Sequence, residues 1–429
     1  MQKIKDITTI GFALFAMFFG AGNLLLPPFI GIHIGDQVWL TILAFGLTGI
    51  LLPFMGILSV TQAGESFQDL GARIHPKLAP ILGTIIMICI GPLIAIPRTA
   101  ATTFEVGILP SFPDSNPIWT TIGFMGITWL FSIVPSKVVD LVGNILTPCL
   151  LLLLTGLLIM GFLHPAEQPV AGISSASDAF TLGFTEGYQT LDVLASVIFA
   201  GIIITAAKTK GYQQLRDKNK VVIASGALAA ACLLFIYGGL IYLGASSGIH
   251  EPEIKRSELL IQISNQILGQ YGSLAIALSI ALACLTTSIA LTTAVGTFFH
   301  KLSKGRLSYG LLVTLCSLLS GILSITGVDG IIRFAYPPLA FVYPIVITLV
   351  LTVVCFRPWV KSRLPYLGAL IVATLMAFLN VLNILELLNE QQVALLQHIP
   401  FFNYELGWVL PTFASFLVLA LWEKAWAKR

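Results

Sequence analysis

Long apolar stretches follow one another along almost the whole chain and restrict it to one class of structure. Each is about 20 residues long, the length at which a helix crosses the hydrocarbon core of a bilayer. Only a helix or a closed barrel satisfies its own backbone hydrogen bonds in lipid. The sequence therefore predicts an all-α integral membrane protein. Its twelve predicted transmembrane helices lie near 7–31, 38–62, 79–106, 117–134, 139–163, 189–207, 221–247, 271–299, 307–327, 334–356, 365–388 and 405–423.

The composition leads to the same class. Asp, Glu, Lys and Arg make up 10% of the 429 residues, whereas apolar residues make up 56%. Soluble domains have about 25% charged residues, so this chain cannot cover a water-facing surface. Soluble, disordered and nucleic-acid-binding classes are excluded, and the lipid bilayer is the predicted surrounding partner. The six cysteines are scattered singly and have no metal-ligand spacing, so they predict neither a zinc site nor a disulfide framework.

The positive charges predict the orientation. With the N-terminus inside, 19 of the 23 Lys and Arg residues fall in cytoplasmic segments. The outer connections hold only Lys255, Arg256 and Arg333, and Arg98 lies within a span. This bias predicts that both termini are cytoplasmic. The first apolar segment lacks a small-x-small cleavage site, so it is interpreted as a retained helix and not as a signal peptide.

Three connections are long enough to be interpreted individually. Residues 164–188 are rich in Pro, Ser and Asp and predict a plain loop. Residues 251–270 place Leu259, Leu260 and Ile263 opposite Glu253 and Glu258, which predicts an amphipathic helix. That helix either covers the protein as a lid or lies at the membrane interface. Residues 62–78 predict a short reentrant or surface helix.

The first span contains the strongest interruption. Gly20-Ala21-Gly22-Asn23 occupies its middle, and Pro27-Pro28 follows. Glycine weakens a helix, and each proline removes an amide donor and crowds the carbonyl four residues earlier. One interpretation is an unwound stretch whose free carbonyls hold a cation and whose free amides hold a carboxylate. The other is a simple kink supported by neighbouring helices.

A second weak point falls in the sixth span, at Ala195, Ser196, Ala200 and Gly201, with Asp192 near the outer end. Paired interruptions in two halves are typical of transporters built from inverted repeats, with the binding site at mid-membrane. The sequence thus predicts a single transporter domain over 1–429. Its two five-helix repeats would cover about 7–163 and 189–356, and two further helices would lie at about 365–423.

The third and eighth spans carry unusual polar residues. Arg98 and Glu105 are seven residues apart, which predicts a shared helix face, either as a gate or substrate contact or as a structural charge pair. The eighth span concentrates small and hydroxyl residues at Ala283, Thr286 and Thr287. Such hydroxyls either bond back to their own helix or, with backbone carbonyls, bind a small cation.

The sequence lacks the motifs that ATP hydrolysis or metal-dependent catalysis requires. No G-x-x-x-x-G-K-[ST] loop and no soluble nucleotide domain is present, so no ATPase subunit is implied. No H-E-x-x-H motif occurs, and every histidine lies in or near a connection: His33, His75, His164, His250, His300 and His398. The chain is therefore predicted not to be an enzyme and to use no organic cofactor.

Three strings resemble one known family. FGAGNLLLPP in span 1, AIPRTAATTFEVG in span 3 and GYQTLDVLASVIFAGIII in span 6 are similar to bacterial branched-chain amino acid transporters of the BrnQ type. The resemblance extends from Ile10 to about residue 425. It implies the leucine-transporter fold in the bacterial cytoplasmic membrane, and sodium-driven uptake of leucine, isoleucine and valine by alternating access.

The same resemblance implies the site residues. The Na⁺ ligands would be the carbonyls of Ala16, Phe19 and Ala283 and the hydroxyls of Thr286 and Thr287. The substrate carboxylate would meet the amides of Ala21 and Gly22, and its ammonium group would meet carbonyls near Phe18 and Ala195. A list of the substrate-binding residues then reads Phe18, Ala21, Gly22, Asn23, Ala195, Ser196 and Phe199. Arg98, Glu105 and Asp192 are candidates for a gate or for coupling. Proton-coupled transport of the same or other neutral amino acids, through Glu105 or Asp192, stays open.

Overall fold

A computed structural model gives the architecture of the chain. It describes residues 2–72, 74, 78–170, 174–190, 192–249, 251, 254–357 and 359–426. His75, His250 and Glu253, which the sequence analysis named, lie outside the described residues. The described part of the chain contains helices and connections and no strand, as an all-α membrane protein requires.

Ten α-helices make up the first part of the chain. They are α1 (Gln2–Phe18), α2 (Ala21–Ile34), α3 (Val38–Gly46), α4 (Leu52–Ala63), α5 (Phe67–Ala72), α6 (Leu78–Ile88), α7 (Ala95–Thr102), α8 (Pro117–Ser132), α9 (Pro135–Leu141) and α10 (Thr147–Leu163). Short π-helical turns join several of them into longer spans, at Leu47–Leu51, Cys89–Leu93, Thr103–Ile108 and Val142–Leu146.

Ten more α-helices follow in the second part. They are α11 (Ala176–Tyr188), α12 (Asp192–Thr209), α13 (Leu215–Ala245), α14 (Arg256–Leu268), α15 (Gly272–Leu302), α16 (Tyr309–Ser324), α17 (Gly327–Phe356), α18 (Leu364–Ile384), α19 (Glu390–Gln397) and α20 (Val409–Trp426). Single 3₁₀ turns lie at Gly269–Tyr271 and Phe402–Tyr404.

Eight helical segments in the described part of the chain are long and apolar enough to cross a membrane. The bent pair α1–α2 makes a possible ninth. The other three predicted spans coincide with α8, α16 and α20, of which α8 and α16 have only 16 residues each. The multi-pass membrane architecture is therefore confirmed, and the count of twelve stays a prediction.

The sixth span is broken, but not where its small residues suggested. Helix α12 runs without interruption through Ala195, Ser196 and Gly201, and the described part of the break is Gln189 and Thr190, between α11 and α12. The prediction of a plain loop over 164–188 is therefore wrong for Ala176–Tyr188. These residues form helix α11. Its first turn is capped by the Ser175 hydroxyl, which accepts a hydrogen bond from the amide of Asp178.

Helices α11 and α12 pack one after the other along the second span, which consists of α3 and α4. Thr41 Oγ1 donates to the Ala179 carbonyl at 3.4 Å, and Thr48 Oγ1 donates to the Phe184 carbonyl at 2.8 Å. One further step along, Gly56 of α4 packs against Ser196 of α12. Small residues in apolar spans were misleading because Ala and Gly at a helix interface permit close packing without breaking the helix.

The third span changes direction twice. Gly91 departs from helical geometry with φ −84° and ψ −114°, and the helix restarts at Ala95. The π-turn over Thr103–Ile108 then shifts the angular position of the residues that follow. Arg98 and Glu105 consequently contact different helices. The structural charge pair predicted for them does not form among the described residues, and the seven-residue spacing assumed a uniform 3.6-residue period.

The amphipathic helix over 251–270 forms as α14. Leu259, Leu260 and Ile263 are buried, while Glu258 is exposed. The apolar face therefore packs on the protein, which favours the lid over a helix at the membrane interface. The connection at 62–78 contains the short helix α5.

Helices α2 and α13 approach each other through glycines. A Cβ atom on Gly31 would lie 2.7 Å from the Cα of Gly244 and would collide with the Ile241 carbonyl. Contacts this short with backbone cannot be relieved by a rotamer change. The packing of α2 against α13 therefore depends on the missing side chain.

Gly31→Ala is expected to destabilise the protein by about 3 kcal/mol, the upper end for overpacking, because backbone must move. Thermal unfolding in detergent measures this effect. Gly123→Ala in α8 is the matched control, since no atom lies within 4 Å of its Cβ position. It should be neutral or slightly stabilising, because Ala favours helix over Gly. Equal melting temperatures for the two variants would contradict the close approach.

Candidate functional site

The site is built around the break between α1 and α2. The two helices are bent by 68°, and Gly20 between them is extended, with φ −95° and ψ −175°. Pro27 and Pro28 lie one and a half to two turns into α2, where they cannot donate to the carbonyls of Asn23 and Leu24. The first amides of α2 and the last carbonyls of α1 thus lack helical partners. The unwound stretch is observed here, and not the simple kink.

Five oxygen atoms that the sequence grouped as cation ligands come together at this break. Thr286 Oγ1 lies 3.2 Å from the Ala16 carbonyl oxygen and 2.9 Å from that of Ala283. Thr287 Oγ1 lies 3.2 Å from the Ala16 oxygen and 3.5 Å from the Phe19 oxygen. All of these residues are buried. The cluster joins the end of α1 to the middle of α15.

The chemistry of this cluster suits a small hard cation. All five atoms are neutral oxygens, and hard cations without a soft-ligand preference bind oxygen. The two hydroxyls donate to carbonyls when no ion lies between them, so the cluster is satisfied in both conditions. No group of three or more His, Cys, Asp and Glu side chains that could hold a metal occurs among the described residues.

Asn23 connects the break to two other helices. Its Nδ2 atom lies 2.8 Å from the Phe18 carbonyl oxygen, 2.7 Å from Asp192 Oδ2 and 2.8 Å from the Tyr237 hydroxyl. Asn23, Asp192 and Tyr237 are each at most 8% exposed. The side-chain amide therefore fixes the end of α1 against the starts of α2 and α12 and the middle of α13.

Arg98 of α7 contacts the start of α2 at Gly22, next to Asn23. A Cβ atom on Gly22 would lie 3.0 Å from its Nη2 atom, so the guanidinium rests against the first turn of that helix. Within the described part of the chain, no acceptor lies at hydrogen-bond or ion-pair distance from this guanidinium. Asp192 is close enough to interact with it electrostatically. Arg98 and Asp192 thus face the same break from two sides.

Glu105 has a different position. Its Oε1 atom accepts from the Val328 amide at 2.9 Å, and a Cβ atom on Gly327 would lie 3.1 Å from it. The carboxylate therefore caps the first turn of α17, where free amides and the helix dipole favour negative charge. This cap differs from the structural charge pair that the sequence analysis considered, and a role of Glu105 in gating or coupling stays a prediction.

Aromatic rings line the inner side of the break. Phe18 and Phe199 meet edge to face, with ring centroids 5.7 Å apart. Ser196 Oγ donates to the Val193 carbonyl at 2.7 Å and packs against Gly56, so its hydroxyl bonds within α12. Ala195 is only partly buried, and its carbonyl belongs to the continuous helix α12. For Ala21 the structure describes the backbone alone, at the first position of α2.

Two parts of the site were missed by the sequence analysis. Tyr237 bonds Asn23 and stacks on Phe19, with centroids 5.7 Å apart. A lone tyrosine in the seventh span gave no signal beyond its hydroxyl. Tyr188 ends α11 at the second break, where its carbonyl accepts from the Tyr343 hydroxyl at 2.9 Å and its own hydroxyl accepts from Trp408 at 3.1 Å. The adjacent polar string Gln189-Thr190 was the available signal.

A cavity of about 710 Å³, here called the vestibule, opens on the face of the protein that carries Lys208, Lys210 and Lys301, here called the lysine-rich face. Helix α12 contributes Ile198 and Ile202 to its wall, and α15 contributes Thr293 and Thr297. Thr293 lies seven residues beyond Thr286, which is about 10 Å along an α-helix. The vestibule thus approaches the five-oxygen cluster from one side only.

The opposite face is closed by the lid helix α14. Arg256 Nη2 lies 3.4 Å from Glu186 Oε1 of α11, and its guanidinium lies over the Phe29 ring of α2, 4.8 Å from the centroid. These contacts connect the lid to the outer halves of both broken spans. The cavity therefore lies toward one face of the protein, whereas the lid helix packs on the outer halves of the two broken spans.

Ion pairs border the vestibule. Glu65, which follows α4, bonds Lys208 of α12, and its Oε1 lies 2.9 Å from Nζ of Lys218 in α13. The side chain of Lys218 is 2% exposed, so its charge depends on this carboxylate. Hydrogen bonds from Lys208 first and Lys218 second lower the pKa of Glu65 below its usual 4.5, against a smaller opposing effect of burial.

Glu65→Gln is expected to lower the melting temperature at pH 7, by the equivalent of about 1 kcal/mol, because solvent screens the half-exposed partner. A depressed pKa stabilises the folded state above the unfolded pKa, and that contribution disappears as the pH falls through the folded pKa. The difference between wild type and variant should thus be full at pH 6–7 and shrink below about pH 4.5. A difference that grows on acidification would contradict the assignment.

Known proteins match the whole chain. Residues 3–426 match the family model described as branched-chain amino acid transport protein. The branched-chain amino acid permease BraB of Bacillus subtilis is 37% identical over 420 residues, 95% of this chain and 93% of the relative. The permease BrnQ of the same organism is 35% identical over 423 residues, covering 95% and 94%. These relatives are named as transport proteins, as the sequence predicted, and not as enzymes.

Solved structures share the fold. A mutant of the Eremococcus coleocola manganese transporter superposes with a TM-score of 0.63 at 13% identity, covering 96% of this chain and 94% of that one. MhsT in complex with L-phenylalanine gives a TM-score of 0.57 at 15% identity, covering 96% and 98%. At these identities the likeness concerns the fold alone. It confirms the leucine-transporter fold that the resemblance implied.

Proposed function

The chain belongs to the branched-chain amino acid transport protein family, and from this premise we propose that it is a sodium-coupled symporter. It would import leucine, isoleucine and valine across the bacterial cell membrane by alternating access. The lipid bilayer surrounds it, and both termini are cytoplasmic. Under this orientation the vestibule on the lysine-rich face opens to the cytoplasm.

The five-oxygen cluster carries the sodium part of the proposal. Carbonyls of Ala16 and Phe19 from α1 and the Ala283 carbonyl with both threonine hydroxyls from α15 converge within 3.5 Å contacts. Na⁺ is the co-transported cargo and would bind between these atoms. Because the cluster joins two helices that belong to different parts of the fold, occupancy of the site would favour one conformation over the other.

The substrate would lie beside the same break. Ala21 and Gly22 begin α2, and their amides, which have no partner within that helix, would receive the substrate carboxylate. In the sixth span, free carbonyls belong to the break at Gln189 and Thr190, which takes the place of Ala195 in the proposal. An apolar side chain would pack near Phe18 and Phe199. One methylene changes discrimination only about 10- to 200-fold, so overlapping use of branched substrates is expected.

The inverted repeats fit the positions of the breaks. Helix pair α1–α2 begins the first set of five spans, and α11–α12 begins the second. The second set would then start at Ala176 instead of residue 189. Alternating access would move the broken spans against α15 and its neighbours, opening the side that α14 now covers.

Proton coupling is the second candidate, and one observation favours it. Asp192 is a buried carboxylate at the break, 8% exposed, and carboxylates in such places act as proton carriers in transporters. With proton coupling, the protein would transport the same or other neutral amino acids. The two candidates share fold and substrate site and differ in the ion.

Uptake of labelled leucine into proteoliposomes tests both. We expect accumulation with an inward sodium gradient alone, and competition by isoleucine and valine. Accumulation with a proton gradient alone would replace sodium coupling by the Asp192 alternative. Failure of leucine to accumulate under either gradient would overturn the proposed function.

A further inference from the structure

Two opposite charges face the first helix break, and neither belongs to the cation cluster. Arg98 rests against Gly22 at the start of α2, and Asp192 begins α12. The two groups interact electrostatically, yet no direct ion pair joins them among the described residues. Each is held in place, Asp192 by Asn23 at 2.7 Å and Arg98 by the tight packing of α7 on α2.

An intramembrane guanidinium without a bonded anion requires an explanation. Charged groups in spans are expensive and are kept where they pair or serve a function. Arg98 offers five N–H donors in a fixed fork that fits a carboxylate with two parallel bonds. The nearest carboxylate, Asp192, does not occupy that fork. The guanidinium therefore has full donor capacity toward the space beside Gly22.

Asp192 has spare capacity of the opposite kind. A carboxylate offers about four acceptor positions; the Asn23 amide takes one of them on Oδ2, and the Thr190 side chain takes another. An ammonium group has three donors and no acceptor, so it complements the remaining positions. A zwitterionic α-amino acid carries both complementary groups, a carboxylate for the guanidinium of Arg98 and an ammonium group for the carboxylate of Asp192.

We infer that Arg98 and Asp192 bind the two charged ends of a zwitterionic α-amino acid, Arg98 its carboxylate and Asp192 its ammonium group. This inference rests on the proposed function and adds the residues that select a zwitterion. The ligand inserts between the two side chains and replaces their mutual attraction by two direct ion pairs. In this arrangement the amides of α2 assist Arg98, and a ligand with one charge leaves one buried side chain unpaired.

Three ligands of the same shape separate the two roles. Leucine carries both charges, 4-methylpentanoate lacks the ammonium group, and 3-methylbutylamine lacks the carboxylate. Binding to purified full-length protein is measured by competition against labelled leucine or, where that is too weak, by direct titration. Wild type should bind leucine about 10- to 100-fold more tightly than either analogue, since each analogue loses one charge-assisted pair.

The variants should show a crossed pattern. Arg98→Gln weakens leucine about 10- to 100-fold but does not weaken 3-methylbutylamine, because the amine does not contact the guanidinium and loses a competitor for Asp192. Asp192→Asn weakens leucine similarly and leaves 4-methylpentanoate unchanged. Arg98→Lys and Asp192→Glu keep the charges and should recover most of the preference for leucine. Melting temperatures of all four variants show which of them fold.

Equal weakening of all three ligands by folded Arg98→Gln or Asp192→Asn would overturn the inference, because a purely structural role predicts that result. Unchanged leucine binding would also overturn it. Either outcome concerns the variants alone, so the proposed transport of leucine by the wild type would still stand. Conversely, wild type that ignores branched-chain amino acids but binds alanine or phenylalanine with the crossed dependence would retain the inference and reject the proposed function.

Discussion

Thr287→Ala is expected to raise the half-saturating sodium concentration for leucine uptake about 10- to 100-fold, while the protein still folds. The substitution removes one of five oxygens from the cluster, the hydroxyl between the Ala16 and Phe19 carbonyls. An interaction with a charged partner contributes about 1.5–3 kcal/mol, which corresponds to that range. Initial uptake rates at varied sodium in proteoliposomes give the value directly.

Two further variants isolate the role of the oxygen. Thr287→Ser keeps the hydroxyl and should stay close to wild type. Thr292→Ala changes a second buried threonine of α15, whose hydroxyl has no partner in the structure, and should leave sodium dependence unchanged. If Thr287→Ala left the half-saturating sodium where it was, the cluster would not be the coupling site.

Asn23→Leu is expected to abolish uptake and to destabilise the protein by about 3 kcal/mol. The leucine side chain has a similar volume but donates nothing, so the two N–H donors that the Phe18 carbonyl, the Asp192 carboxylate and the Tyr237 hydroxyl share are both lost. Leaving a buried charged acceptor without its donor costs about 1.5–3 kcal/mol by itself. Thermal unfolding in detergent and leucine uptake at saturating substrate measure the two effects.

Comparison variants separate this loss from a general effect of burying leucine. Thr348→Val replaces a fully buried hydroxyl that has no partner in the structure, and it should be neutral or stabilising. The double variant Asn23→Leu with Asp192→Leu removes the stranded carboxylate and should recover part of the stability. A double variant less stable than the sum of the two single effects would contradict the central role of the Asn23–Asp192 bond.

Much of the site could be predicted because it depends on local chemistry. Glycines beside Asn23 and the two prolines weaken one short segment whatever surrounds it, so the break in the first span followed from the sequence. The hydroxyl string of the eighth span likewise contained Thr286 and Thr287. The structure brings these two residues to the predicted carbonyls of Ala16 and Phe19.

The second break could not be located in the same way. Ala195, Ser196 and Gly201 are compatible with both a weak helix and close helix packing, and α12 uses them for packing against α4. The outer half, α11, was hidden because its 13 residues include polar ones and fall short of a full span. Local propensity does not distinguish a broken helix from a closely packed one. The packing of α12 against α4 decides between them.

The sequence by itself determined the membrane class, the family and the first helix break. The membrane class and the break follow from apolar length and backbone chemistry, which are properties of short segments, and the family followed from the resemblance of three short strings. Tertiary structure alone decided which charges meet. A π-turn moved Glu105 to the start of α17, and the path of α11 and α12 along the second span brought Asp192 to Asn23. Distances between residues 169 positions apart depend on how helices pack, and no local pattern encodes that packing.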